Sequence, residues 1–166
     1  MTDGKTLKNL SEAFAGESQA NRKYLAFAKK AEREGFPQVA KLFKAAANAE
    51  TVHAHNHLKA MGGIKSTEEN LKEAVSGETF EFEKMYPGMI EDAKNENEDK
   101  AKMSFIYANK VEQIHADLYK KYLDNLGNNQ NTAIFVCQVC GNTVEGAAPD
   151  RCPICGNPKE MFKKIK

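Results

Sequence analysis

An all-α four-helix bundle followed by a small β-type metal-binding module is the fold class the sequence predicts, and three observations predict it. Four stretches place apolar residues at alternating steps of three and four, the mark of a helix with one buried face. Each of these seams carries a glutamate near its middle. After a polar linker, two Cys-x-x-Cys-Gly motifs sit among short apolar runs of β character.

The first helix is predicted from Thr6 to Glu34, its seam running Leu7, Leu10, Phe14, Glu17, Asn21, Tyr24, Ala28 and Ala31, with a turn at Gly35. Pro37, suited to a first helical turn, opens the second, with Val39, Phe43, Ala46, Glu50, His53, His57 and Ala60 on its seam and a stop at Gly62-Gly63. Ser66 or Thr67, followed by Glu68 and Glu69, reads as the start of the third helix. Its seam is Leu71, Ala74, Glu78, Glu81, Met85 and Met89, and Pro87 should kink or interrupt it. A turn around Asn95-Glu-Asn97 leads into the fourth, with Ala101, Phe105, Ala108, Glu112, His115, Tyr119, Tyr122 and Leu126, ending near Asn125. The predicted domains are residues 1–126 for the bundle, 127–132 for the linker and 133–166 for the cysteine module. Gly127–Asn131 can span at most about 18 Å when fully extended.

The seam glutamates cannot be ordinary core residues. An unpaired buried charge costs several kcal/mol, whereas a whole domain is stable by only about 5–15 kcal/mol. No lysine or arginine lies on these seams to neutralise them. Two of the glutamates open Glu-x-x-His motifs, Glu50-Thr-Val-His53 and Glu112-Gln-Ile-His115, and residues at i and i+3 share a helix face. Each motif can offer a carboxylate and an imidazole to one metal, with Glu17 and Glu78 from the preceding helices closing or bridging the site. Glu17 precedes Glu50 by 33 residues and Glu78 precedes Glu112 by 34, as though one helical hairpin were written twice. Mixed oxygen and nitrogen ligation suits iron or manganese. Glu81, one turn from Glu78, is a further ligand or else a solvent-facing glutamate. His57 reads as a hydrogen-bonded core histidine and His55 as solvated.

Charge and composition narrow the function classes. A net charge of +1 with acidic and basic residues interspersed gives no field for nucleic acid or an anionic membrane. There is no membrane-length apolar run and no signal-like start, so the expected location is the cytoplasm. In that reducing compartment, Cys137, Cys140, Cys152 and Cys155 are expected to bind metal and not to pair as disulfides. Four thiolates make a tetrahedral site for zinc or a single iron. The tail alone favours structural zinc.

The chain resembles the rubrerythrins over essentially its whole length. The residues carrying the match are Ala15-Gly-Glu-Ser-Gln-Ala20 with Tyr24, the segment Glu50 to His57, Gly77-Glu-Thr-Phe-Glu81 with Met85-Tyr-Pro87, Glu112 to His115, and both cysteine motifs. The resemblance implies a ferritin-like bundle holding two non-haem irons on Glu17, Glu50, Glu78, Glu112 and His115, with Glu81 and His53 as alternate ligands of one iron in the oxidised and reduced states. It implies that Tyr24 and Tyr86 hydrogen-bond ligand carboxylates, and it reverses the zinc preference in favour of a rubredoxin-like iron held by the four cysteines, zinc being a substitute. The implied activity is a peroxidase reducing hydrogen peroxide to water in defence against oxidative stress. Electrons would come from a rubredoxin or an NAD(P)H-dependent reductase, and the implied assembly is a homodimer, head-to-tail or helix-swapped. Gln138 stands where many such motifs have proline, a departure that bears on local rigidity and not on ligation.

Overall fold

Helices α1 (Lys5–Arg33) and α2 (Pro37–Ala60) form an antiparallel hairpin whose seam is made of small residues. Asn21, Ala28 and Ala31 are buried on α1, and Ala40, Ala47 and Ala54 on α2. The seven-residue spacing of the α2 alanines is that of a coiled-coil stripe, and side chains this small let two helices approach closely. Asn21 is the one fully buried polar residue of that seam among the described residues. Its amide donates to the Ala47 carbonyl at 2.6 Å and to Thr51 Oγ1 at 2.8 Å, while its own oxygen accepts from Arg22 Nε at 2.9 Å. Towards the turn of the hairpin the rings of Phe27 and Phe43 meet edge to face at 5.6 Å.

The computed structural model describes residues 4–166, and the chain divides into two compact units, one ending at Lys65 and the other running from Ser66 to Lys166. In the second unit α3 (Thr67–Phe80) opens with a reciprocal capping box: Ser66 Oγ accepts from the Glu69 amide, and the Glu69 carboxylate accepts from the Ser66 amide. The interruption expected from Pro87 takes the form of a π turn, Glu81–Met85, which passes into α4 (Tyr86–Asn95). Proline has no N–H, so the Glu83 carbonyl has no donor four residues on. The ladder widens upstream, where the Tyr86 amide donates to the Glu81 carbonyl, five residues back. Helix α5 (Asp99–Asp124) returns along α3 and α4.

The two hairpins share their turns as well as their motifs. Each first helix ends in a six-to-one closing bond, Phe36 N to Ala31 O at 2.9 Å and Glu98 N to Ala93 O at 2.8 Å. The residue inside each turn has positive φ, 80° at Gly35 and 59° at Asn97. From Glu17 to the end of α1 is 16 residues, and from Glu78 to the end of α4 is 17; the linkers and the runs into Glu50 and Glu112 are equal in length.

The C-terminal module is a three-stranded antiparallel sheet in the order β2 (Thr143–Glu145), β1 (Ile134–Cys137), β3 (Phe162–Lys164). It packs through β2 on α5. Val111 of α5 is buried against Gly141, and Glu145 accepts from Tyr122 Oη at 2.9 Å and from Lys121 Nζ at 2.5 Å. No helix among the described residues is long and apolar enough to cross a membrane.

Candidate metal centres

The helical hairpin of the first unit brings Glu17, Glu50 and His53 together, with one ligand atom from each lying within 4.8 Å of the others. His53 Nδ1 is 2.9 Å from Glu50 Oε2 and 3.9 Å from Glu17 Oε1. In the second unit Glu78, Glu112 and His115 form the same figure: His115 Nδ1 is 2.8 Å from Glu112 Oε2 and 3.7 Å from Glu78 Oε1. The duplicated spacing therefore corresponds to a duplicated arrangement in space. Each cluster offers two carboxylates and an imidazole, a donor set that suits a first-row divalent metal.

The protonation pattern is that of carboxylates brought together without enough positive charge. A hydrogen bond to Glu50, then burial, pushes Glu17 above the usual carboxylate range. Hydrogen bonds to Glu17 and His53 hold Glu50 below it. Of that pair Glu17 is the one that holds a proton more readily and Glu50 the one that stays charged. Burial first, and the Glu112 charge second, push Glu78 up to about 7. A metal ion would remove the conflict by replacing protons with positive charge.

Glu81 lies in the π turn, outside the tight group of three, yet its carboxyl is raised by burial and by the charge of Glu112. Burial, followed by the charges of Glu112, Glu81 and Glu78, raises the Tyr86 phenol, and its ring lies 6.2 Å from that of Phe105. The Tyr24 ring packs between Phe27 and Phe43, with centroids at 6.4 and 6.1 Å. His57 is half-buried and close enough to Glu17 to act on it electrostatically, and His55 is exposed.

The third candidate centre is the cysteine cluster. All four thiols are free, with Cys137 and Cys155 sulfurs 3.7 Å apart and Cys140 and Cys152 sulfurs 3.6 Å apart. A tetrahedron with metal–sulfur bonds of about 2.3 Å has sulfurs about 3.75 Å apart, so the thiols already stand at ligand spacing. The two loops are built alike. Gly141 N donates to Cys137 O and Gly156 N to Cys152 O, both at 2.9 Å, with φ of 85° and 73° at the glycines.

Two asparagines that sequence reasoning passed over belong to this centre. The Asn142 backbone amide donates to Cys140 sulfur, and its buried side chain lies 3.6 Å from Cys152 sulfur. Asn157 does the same for Cys155, its side-chain nitrogen 3.3 Å from the sulfur. Burial pushes the Cys155 thiol up, but the Asn157 backbone and side-chain donors, together with hydrogen bonds from Cys140 and Cys152, outweigh it and bring it down to about 7. Burial prevails at Cys140, which is raised. The signal was present in the sequence, since both motifs read Cys-x-x-Cys-Gly-Asn in full.

Comparison with known proteins gives a consistent result. The family model described as Rubrerythrin matches residues 8–123, and the model for the rubrerythrin rubredoxin-like domain matches residues 135–163. Rubrerythrin-2 of Clostridium acetobutylicum is 34% identical, the alignment covering 93% of each chain. Nigerythrin of Nitratidesulfovibrio vulgaris is also 34% identical, over 96% of this chain and 86% of its own. Among solved structures, nigerythrin in its fully reduced, all-ferrous state matches with a TM-score of 0.60 and 32% identity, over 99% of this chain and 89% of that one. Its mixed-valence state matches with a TM-score of 0.59.

Proposed function

The chain belongs to the rubrerythrin family, and from that premise we propose that Glu17, Glu50, His53, Glu78, Glu81, Glu112 and His115 are the ligands of its di-iron centre. The protein is a non-haem di-iron peroxidase that reduces hydrogen peroxide to water, with electrons entering through an iron held by Cys137, Cys140, Cys152 and Cys155. The observation that carries the ligand assignment is the cluster of two glutamates and one histidine, which appears twice with nearly the same internal distances.

When bound, the iron pair supplies the two electrons that hydrogen peroxide needs to become water. The chain's own residues set the conditions for that exchange. Glu17 and Glu78, raised at rest, give up protons as the ligand set is assembled. Glu81 stands one turn beyond Glu78 as a spare carboxylate donor, and His53 is the imidazole alternative for the same iron. The raised phenol of Tyr86 keeps its proton, which leaves it able to donate a hydrogen bond to a ligand carboxylate and hold its orientation. Tyr24 is assigned the same positioning role.

The working division of the chain is residues 1–126 for the carboxylate and histidine helices, 127–132 for the linker and 133–166 for the tetrathiolate iron. The functional assembly is a homodimer, head-to-tail or helix-swapped. Phe36, Val39 and Leu42 support it, being 57%, 46% and 69% exposed at the start of α2. The protein is placed in the cytoplasm, where free thiols persist, and its donor is a rubredoxin or an NAD(P)H-dependent reductase. Elemental analysis of anaerobically purified protein tests the assignment. About three irons per chain, two on carboxylate and histidine and one on thiolate, with loss of about two in Glu112→Ala, are expected. A single metal per chain, unaffected by Glu112→Ala, would overturn it.

A further inference from the structure

His115 is held on both sides. Its Nδ1 faces Glu112 and Glu78, while its Nε2 lies 2.9 Å from Thr143 Oγ1, on strand β2 of the cysteine module. Thr143 has its own obligation: its hydroxyl donates to the Gly141 carbonyl at 3.1 Å. A hydroxyl has one proton. With that proton committed to Gly141, Oγ1 can only accept from His115, so Nε2 carries a proton, and Nδ1, 2.8 Å from Glu112 Oε2, is the nitrogen a metal would take in place of the proton between it and that carboxylate. This is the ring orientation a metal ligand needs, fixed by a partner on its far side.

The partner is also part of the tetrathiolate loop. Gly141 follows Cys140 directly, so the bonded path from the Cys140 sulfur reaches the Gly141 carbonyl through a few covalent links. It then crosses to His115 through two hydrogen bonds that share a single oxygen. The contact is backed by packing, since Gly141 rests on Val111, one turn before His115 on α5. Seven residues further along the helix, Tyr122 is bonded to Glu145, the next residue on the same face of β2.

We propose that Thr143 is a positioning residue for the peroxidase, locking His115 as an Nδ1 ligand and carrying electrons from the thiolate iron to the carboxylate site through its hydroxyl. The inference rests on the function proposed above. In each passage one electron leaves the ferrous thiolate iron, which becomes ferric, and reduces one ferric ion at the carboxylate site to ferrous. Two passages, with two protons, balance the reduction of one hydrogen peroxide to two waters.

The test compares wild type, Thr143→Val and Thr143→Ser. Thr143 borders a cavity of about 410 Å³ with a largely apolar wall, so the isosteric valine fits. Proton exchange at His115 Nε2 in zinc-loaded protein reports the lock without any turnover. Slow exchange of the Nε2 proton is expected in wild type and Thr143→Ser, and fast exchange in Thr143→Val. In iron-loaded protein, rapid mixing with peroxide should show the thiolate iron reoxidising about tenfold more slowly or worse in Thr143→Val, with Thr143→Ser restoring the rate. Equal exchange of the Nε2 proton in wild type and Thr143→Val, or equal reoxidation rates in all three proteins, overturns the inference while leaving the peroxidase reading intact. Absence of the iron pair in wild type overturns that reading instead, and exchange of the Nε2 proton in zinc-loaded protein still decides the role of Thr143.

Discussion

Moving the pH from about 6 to about 8 titrates Glu78, and iron affinity at the carboxylate site should follow it. The carboxyl stands at about 7 without metal because it is buried beside the Glu112 charge. A proton that must leave before the metal binds weakens the apparent affinity by one plus the ratio of protonated to ionised forms, about 11-fold at pH 6 and about 1.1-fold at pH 8. An ordinary carboxylate near 4.5 would give only about a 1.03-fold effect at pH 6. Other ligands also lose protons, so the Glu78 contribution is isolated by comparison with Glu78→Gln, which cannot titrate. The assay is anaerobic Fe(II) titration against a competing chelator, after the thiolate site has been filled, on both proteins across the pH range. The affinity advantage of wild type over Glu78→Gln should grow about tenfold between the two pH values. A flat ratio would mean that Glu78 is already ionised at pH 6 or does not bind the metal, and the electrostatic reasoning would be refuted.

The same shift has a consequence for folding. Folded Glu78 holds its proton to about 7 whereas the unfolded chain releases it near 4.5, so its stabilisation is fully present below the lower value and is lost as pH rises through the upper one. Metal-free Glu78→Gln should therefore gain stability relative to wild type across that window, as read from denaturant midpoints. Cys140→Ser should abolish the colour of the thiolate iron and multiple turnover, while protein reduced chemically beforehand still oxidises once with peroxide; continued turnover would place electron entry elsewhere. Asn21→Ala removes the amide that bonds Ala47 and Thr51, and should destabilise the α1–α2 hairpin by about 1–3 kcal/mol, seen as faster amide exchange along both helices.

Local patterns made much of this legible. The helix limits follow from seams and caps, so Gly35, Ser66 and Asn97 fall at the turns and starts where the sequence puts them. The Glu-x-x-His pairs were readable because i and i+3 geometry is a property of any α-helix. The seams themselves were read too generously. Leu7, expected on a buried stripe, is 39% exposed, because the α1–α2 contact is the narrow line of Asn21, Ala28 and Ala31. Pro87 announced a break but not its form, since the missing N–H disturbs a carbonyl on the preceding turn and the π turn lies upstream of the proline. Thr143 could not have been found from the chain alone. Nothing in Asn142-Thr-Val-Glu145 distinguishes a hydroxyl that faces solvent from one that meets a histidine 28 residues earlier.

The one-residue difference between the hairpins has a history written into it. If both descend from one ancestral hairpin, the second has gained a residue between Glu78 and the end of α4, and the π turn is where the helix absorbed it. An added residue in a regular helix would swing everything downstream by about 100°; confined to a wide turn, it leaves the closing bonds at Ala31 and Ala93 equivalent. It also makes two inherited copies unequal, giving Glu81 to one of them where the other has Ala20. Shortening the segment 81–85 by a single residue should restore a plain helix and a symmetric protein, and in doing so turn Tyr86 away from the carboxylates. At this point in the chain the residue count sets which way Glu81 and Tyr86 face.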